Sequence, residues 1–191
     1  MKTINQRATE FPINDLFLNR YSPRALSGES LTPEEIKTLF EAGRWAPSSY
    51  NAQPWRFIYS TIGSESFTGF LDLLVPFNRE WCQRASMLVV TVSKDTMDDG
   101  SPSPTHSFDS GAAWENIALQ AADMGLIAHG MIGFDKEKAR ATRGVPEGFS
   151  VDMMFAVGKK GDPMLLPEGY RPRETPSDRK PLAEIMFEGK M

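Results

Sequence analysis

With one cysteine, Cys82, among 191 residues, the chain cannot close a disulfide on itself. Two histidines, His106 and His129, are too few to supply the usual ligand set of a zinc or iron centre, so no metal site is expected. A basic excess is also missing: 21 Lys and Arg stand against 25 Asp and Glu, for a formal net charge of -4. Without a basic stripe, a nucleic-acid surface is not expected. The longest apolar runs, such as Met87 to Val92, fall far short of the ~20 residues that span a bilayer. No apolar core follows Lys2 and Arg7, so no signal peptide is expected. A single cysteine and no export signal together point to the cytoplasm. The nucleotide-binding fingerprints Gly-x-Gly-x-x-Gly and the P-loop are absent. No serine sits in a nucleophile elbow, and Cys82 lies in a predicted helix without an activating base. Asp109 and Glu115 do not form a convincing acid/base pair. The polar stretch 94–107, with Asp98-Asp99-Gly100, has the wrong spacing for a calcium loop and reads as a mobile loop.

What remains is a chain with 40% apolar and 24% charged residues, enough for one domain with a substantial core. Residues 1–12 read as a loose arm and 13–19 as a short helix. Thr32-Pro33-Glu34-Glu35 is a strong helix start, with Thr32 as cap and Glu35 completing a capping box. Ile36, Leu39, Phe40 and Gly43 continue that helix on one face. Strands are predicted over 55–60, 87–93 and 151–158, the second of them central, and 126–131 reads as a short strand or extended turn. Helices are predicted over 65–74, 78–85, 109–124 and 136–143, the last closed by Gly144. The 109–124 helix carries Gly111, Ala112, Ala113, Ala118, Ala121 and Ala122, small residues that let another helix approach closely. It is apolar nearly all round, which predicts burial, in part by a second subunit. After Asp162 the chain is proline-rich, so 163–191 is predicted to be an extended arm, with a last strand candidate over 183–187. Such an arm needs a surface to lie on, and a homodimer supplies one. The alternation of helices and strands predicts an α+β layered fold.

Three constellations offer binding chemistry. Arg44 to Phe57 ends a helix, crosses a polar turn and begins a strand. Pro47 and Pro54 bracket Ser48, Ser49, Tyr50, Asn51 and Gln53 between Trp45 and Trp55. Polar groups walled by aromatics suit a planar heteroaromatic ligand. Arg20, Ser22 and Arg24 alternate around Pro23, as a phosphate or other anion would require, or simply form a solvated basic turn. Gly130-Met131-Ile132-Gly133 follows a strand and permits close backbone approach to a ligand, or makes a tight turn. Asn78 is expected to bind or to cap a helix, and His129 to be structural. Binding groups without protein nucleophiles or metal ligands fit an enzyme whose chemistry belongs to a bound cofactor, with no catalytic side chain of its own.

The chain resembles the FMN-dependent nitroreductase family. The resemblance rests on Arg20-Tyr21-Ser22-Pro23-Arg24, Ala46 to Trp55, Phe77-Asn78, Gly130 to Asp135 and Arg179-Lys180-Pro181, in the family's order. It implies an entwined homodimer with a central, mostly antiparallel sheet flanked by helices. It implies two FMN molecules at the subunit interface, with NADH or NADPH as donor. Nitroaromatics, quinones or related small molecules would be acceptors by a ping-pong route. Arg20, Ser22 and Arg179 are implied to bind the FMN phosphate, with Tyr21 in the same segment. Arg24 is implied to sit near N1 and the C2 carbonyl, and Asn78 on the pyrimidine side. Pro47, Ser48, Ser49 and Asn51 would reach the ring from the other subunit, with Gln53 supporting their loop. The backbone of Met131, Ile132 and Gly133 would face N5. Some members carry glutamate where Ile132 stands and lysine where Trp81 stands, so the ring environment here is less charged. Residues 61–76 and 94–107 leave little room for a substrate lid. The alternatives are a flavin-holding or flavin-delivering protein with little turnover, and a non-nitro redox activity on the same fold.

Overall fold

A computed structural model describes residues 7–191, so residues 1–6 of the expected arm lie outside the described residues. The helices are α1 (Asp15–Asn19), α2 (Pro33–Arg44), α3 (Phe67–Leu71), α4 (Pro76–Cys82), α5 (His106–Asp123) and α6 (Lys136–Arg143). The strands are β1 (Trp55–Thr61), β2 (Met87–Lys94), β3 (Leu126–Met131) and β4 (Phe149–Lys159). They form one antiparallel sheet in the order β1-β2-β4-β3. This is an α+β architecture, as expected.

The two inner strands explain their own composition. Side chains alternate across a strand, and here both faces are covered, so the run is apolar throughout. Met87, Val89, Phe155 and Val157 face α2 and α5, where they meet Leu39, Ile117 and Ala121. Leu88, Val90, Met154 and Ala156 face α3, α4 and α6, where they meet Phe70, Trp81 and Ala139. A one-residue slip would exchange the two sets, so register is strongly specified.

Local signals set the helix ends. The Thr32 hydroxyl accepts from the Glu35 N–H at 3.1 Å, and the Glu35 carboxylate accepts from the Thr32 N–H at 2.7 Å, closing the capping box. Asp135 caps α6, and Gly144, at φ 67°, ends it. Gly43 brings α2 close to α5: a Cβ there would lie 2.9 Å from Ile117.

Several elements differ from the sequence-based expectation. The helix predicted over 65–74 is regular only over Phe67–Leu71. Helix α4 starts at Pro76 with Val75 as its cap, so Asn78 lies inside the helix and is not its cap. The 183–187 strand is instead a 3-10 turn over Leu182–Glu184. Residues after Asp162 do not leave the domain at once. Two 3-10 segments, Pro163–Leu165 and Glu168–Arg173, fold back and bury Leu166 and Tyr170 in the core, and only from Thr175 is the chain extended. There the Leu182 N–H donates to Glu10 Oε1 at 2.9 Å, so the two ends of the chain cross. Helix α5 buries the sides that face the sheet and α2. Phe108 is 81% exposed, and a Cβ on Gly111 would meet nothing within 4 Å. Among the described residues no helix is long and apolar enough to cross a membrane.

Candidate functional site

The Arg20–Arg24 segment leaves α1 and runs beside the edge strand β3. Burial, chiefly, lowers the His129 pKa to about 4, so its imidazole is neutral near pH 7. The Pro23 carbonyl, 3.1 Å from Nδ1, selects the tautomer in which Nδ1–H donates. From the other side, the Glu174 carboxylate accepts from the Arg24 N–H at 2.9 and 3.0 Å and from the Ala25 N–H at 3.0 Å. The segment is therefore gripped by its own backbone groups, which leaves its arginine side chains for other work.

At one end of it, Arg20 donates to the Ser22 hydroxyl at 3.4 Å and lies 3.7 Å from Glu115 on α5. Arg7 donates to the carbonyls of Leu18 at 3.1 Å and Arg20 at 2.9 Å. Burial lowers the Arg7 pKa, and the positive charges of Arg179 and Arg20 lower it further. Three guanidiniums from opposite ends of the sequence thus share one electrostatic neighbourhood. Beside them a cavity of about 560 Å³ is lined by Arg7, Arg20, Tyr21 and Lys160 over a floor that includes Ala118 and Ala122. Arg7 escaped the sequence analysis because an isolated arginine in a loose arm carries no spacing signal. Arg179 itself donates to Ser177 at 3.3 Å and to the Asp178 carbonyl at 3.0 Å.

A second group forms where α4 meets the turn after β3. Asn78 donates to the Gly133 carbonyl at 3.1 Å, as does the Val75 N–H at the same distance. A Cβ on Gly133 would lie 2.6 Å from Asn78 Nδ2, so glycine is needed here for close approach. Ile132 beside it is 85% exposed. The amides of Ile132 and Gly133 donate to no backbone acceptor among the described residues. Met131 is buried, and its thioether lies 3.6 Å from the Cys82 sulfur, so only its backbone can face a ligand. Burial raises the Cys82 pKa well above normal, which leaves the thiol inert. Arg24 reaches toward Phe77, and its Nε is buried with no hydrogen-bond partner among the described residues. Gly130 serves packing: a Cβ would lie 2.6 Å from Met153 and 3.2 Å from Trp114. Trp81 is buried in the core against His129.

The polar loop stands apart from both groups. Ser48 Oγ accepts from the Gln53 N–H at 3.0 Å, and Gln53 Nε2 donates to the Asn51 carbonyl at 3.1 Å. The Ser49 N–H donates at 3.1 Å to Asp109, a buried carboxylate that also takes the Thr105 hydroxyl at 3.1 Å. Tyr50, Asn51 and Gln53 have φ of 51°, 57° and 46°. Left-handed backbone costs a non-glycine residue roughly 1–2 kcal/mol, and such strain clusters at functional sites. Trp55 is buried beneath the loop, whereas Trp45 is 73% exposed and donates to Glu41, so the two do not wall a shared pocket within one chain. The loop packs at the start of α5 near Asp109. The cavity floor at Ala118 and Ala122 lies about 14 and 20 Å further along the axis, at ~1.5 Å per residue. None of the residues Pro47 to Gln53 lines that cavity. Arg24 and Asn78 meet at Phe77, whereas the polar loop packs at the start of α5, away from the cavity floor further along the same helix.

Comparison with known proteins places this architecture. The model of the nitroreductase family matches residues 18–65, which include the Arg20–Arg24 segment and the polar loop. A solved structure described as an oxidoreductase containing FMN is 42% identical, covers 100% of this chain and 98% of its own, and superposes with a TM-score of 0.95. An uncharacterized 15.4 kDa protein of Mycolicibacterium smegmatis is 34% identical over 127 residues, 66% of this chain and 84% of that protein. An oxygen-insensitive NADPH nitroreductase of Helicobacter acinonychis is 31% identical over 94 residues, 49% of this chain and 42% of its own length. The chain belongs to the nitroreductase family.

Proposed function

We propose that this chain is an FMN-dependent oxidoreductase that takes electrons from NADH or NADPH. It passes them to nitroaromatic, quinone or related small acceptors by a ping-pong route. The observation that carries the proposal is the buried, unpartnered Nε of Arg24 beside the Asn78–Gly133 pair, on the same segment as the Arg20 end of the cationic group. A buried donor without an acceptor costs free energy, so it calls for a ligand that supplies one. A flat ring with carbonyl acceptors at one end and a phosphate dianion at the other matches both ends of the segment. The full-length relative described as containing FMN supports that choice.

Bound FMN supplies the two-electron chemistry, and this chain's residues hold and tune it. Arg20, Ser22 and Arg179 would bind the phosphate through charge-assisted hydrogen bonds, with Arg7 bracing Arg20 and Tyr21 lining the cavity. Arg24 would face N1 and the C2 carbonyl, where a fixed cation favours the charge that arrives on reduction. Asn78 would hold the pyrimidine side. The backbone of Met131, Ile132 and Gly133 would present amide donors to the ring edge.

Pro47, Ser48, Ser49 and Asn51, supported by Gln53, would complete the site from a second copy of the chain. The exposed Phe108 and Gly111 side of α5, and the exposed Ile185, Met186 and Phe187 of the terminal arm, support that homodimer. We further infer a cytoplasmic protein without nucleic-acid or membrane partners, from its charge, lone cysteine and short apolar runs. A visible spectrum of the purified protein tests the cofactor: a colourless preparation that also fails to bind added FMN would sink the proposal.

A flavin-holding protein with little turnover is the second reading. It is favoured by Ile132 and by the burial of Trp81, which leave the ring edge without charge from those positions. Anaerobic mixing with NADH or NADPH separates the two: an enzyme bleaches the flavin rapidly, and a holder stays yellow.

A further inference from the structure

We propose that Arg173 is a second cation for the pyrimidine edge of the flavin, acting with Arg24 to stabilise negative charge on the reduced ring. The inference rests on the FMN assignment above. It starts from the 3-10 segment Glu168–Arg173, which the sequence suggested would leave the domain. Tyr170 of that segment stacks on Phe77, with centroids 4.5 Å apart and planes at 14°. Its hydroxyl donates to Glu80 at 2.6 Å, and the Phe77 carbonyl lies 3.1 Å from the same oxygen. Burial and then Glu80 push the Tyr170 pKa up to about 12, so it remains a donor. The Arg171 guanidinium donates to the carbonyls of Leu166 at 3.0 Å and Met164 at 3.3 Å, which stiffens the turn.

The result is a rigid platform next to Asn78. The guanidinium carbons of Arg24 and Arg173 each lie 5.8 Å from the Phe77 centroid. At that range, near the ~6 Å limit, a cation–π contact alone is weak. Among the described residues neither side chain makes an ion pair; Arg24 Nε is buried without a partner, and Arg173 is exposed beside it, with its donors turned to solvent. The two carboxylates closest to hand are already engaged: Glu80 takes the Tyr170 hydroxyl, and Glu174 takes the backbone N–H groups of Arg24 and Ala25. Two guanidiniums gathered at one ring, with the local carboxylates committed elsewhere, suit an anion that is present only part of the time. A flavin ring that becomes anionic on reduction is such a group.

Sulfite reports that charge without turnover. Its sulfur lone pair forms a bond to N5 of oxidised flavin, and the displaced ring electron pair settles on N1 and the C2 carbonyl as negative charge. For the FMN-loaded dimer, Arg173→Gln should raise the sulfite Kd about tenfold, the effect of one partly solvated cation on a nearby anion. The same change should lower the flavin midpoint potential by about 30 mV, the two-electron equivalent of tenfold. Arg173→Lys should stay within about threefold of the parent in sulfite Kd, because the charge is kept. FMN-loaded Arg173→Gln with unchanged sulfite affinity and potential overturns the proposal and leaves the FMN assignment standing. A lysine variant that behaves like the glutamine variant also overturns it. A parent protein that binds no FMN overturns both together.

Discussion

His129 and Pro23, 106 positions apart in the chain, are joined by a hydrogen bond of 3.1 Å from imidazole Nδ1 to a backbone carbonyl. It ties the edge strand of the sheet to the turn that carries Arg20 and Arg24. The bond survives protonation, since both ring nitrogens then donate; it is burial that opposes the charge, lowering the pKa from 6.5 to about 4. Between those values the unfolded chain binds a proton that the folded chain refuses. The stabilisation is therefore complete above pH 6.5 and is lost as pH falls toward 4, by up to about 3 kcal/mol at 1.36 kcal/mol per unit. Urea midpoints at about pH 7.5 and about pH 4.5 measure it. His129→Gln should flatten the dependence across that window.

Gly133→Ala should disturb the ring end of the site while sparing the phosphate end. Its Cβ would lie 2.6 Å from Asn78 Nδ2 and 3.0 Å from Val75 Cγ2, so Asn78 must move or the turn must open. A loss of about 1–3 kcal/mol in thermal or urea stability is expected. A weaker FMN-binding signal should accompany it.

Arg20→Ala and Arg179→Ala should each raise the Kd for FMN at least tenfold, since a charge-assisted hydrogen bond is worth about 1.5–3 kcal/mol. Riboflavin, which has no phosphate, should bind both variants and the parent alike. Flavin fluorescence quenching measures all of these affinities. Equal losses for FMN and riboflavin would place the arginines elsewhere.

Gly111→Arg should leave the fold intact and abolish the proposed homodimer. Around a Cβ at this position the single chain has open space, so the substitution costs the monomer little beyond solvation of a new charge. Against a second copy, a buried unpaired guanidinium would be prohibitive. Light scattering after size exclusion should show a monomer, and FMN retention should fall because the Pro47–Gln53 loop is no longer supplied.

Thr32→Ala removes one half of the capping box of α2 and should cost about 1 kcal/mol, read as a lower urea midpoint at unchanged slope.

The elements with strong local signals were legible in the sequence. Thr32 to Glu35 and Asp135 to Gly144 carry their caps in their own residues, and the structure places α2 and α6 accordingly. The unbroken apolar run of β2 marked it as an inner strand because both of its faces are covered. Position in space was less legible. Trp45 and Trp55 flank one loop in sequence, yet one points to solvent and the other to the core, because the loop between them, with Tyr50, Asn51 and Gln53 at positive φ, turns the chain. Arg7 and Arg173 were missed for a common reason. Each makes its contacts with residues distant in sequence, and no short-range pattern encodes that. The tail after Asp162 was misjudged because prolines exclude helix and sheet ladders but permit the 3-10 turns that let Tyr170 fold back onto Phe77.

The crossing of the chain ends at Glu10 and Leu182 has a consequence for the lifetime of the protein in a cell. Arg7 and Arg20 come from the first segment and Arg179 from the last, so an anion held among them fastens the two together. Any group that binds the folded form alone stabilises it by mass action. If FMN is that group, its scarcity would free both segments together, and limited proteolysis with and without added FMN would read the difference. Abundance of this chain would then follow the supply of its cofactor, with degradation acting as the gauge.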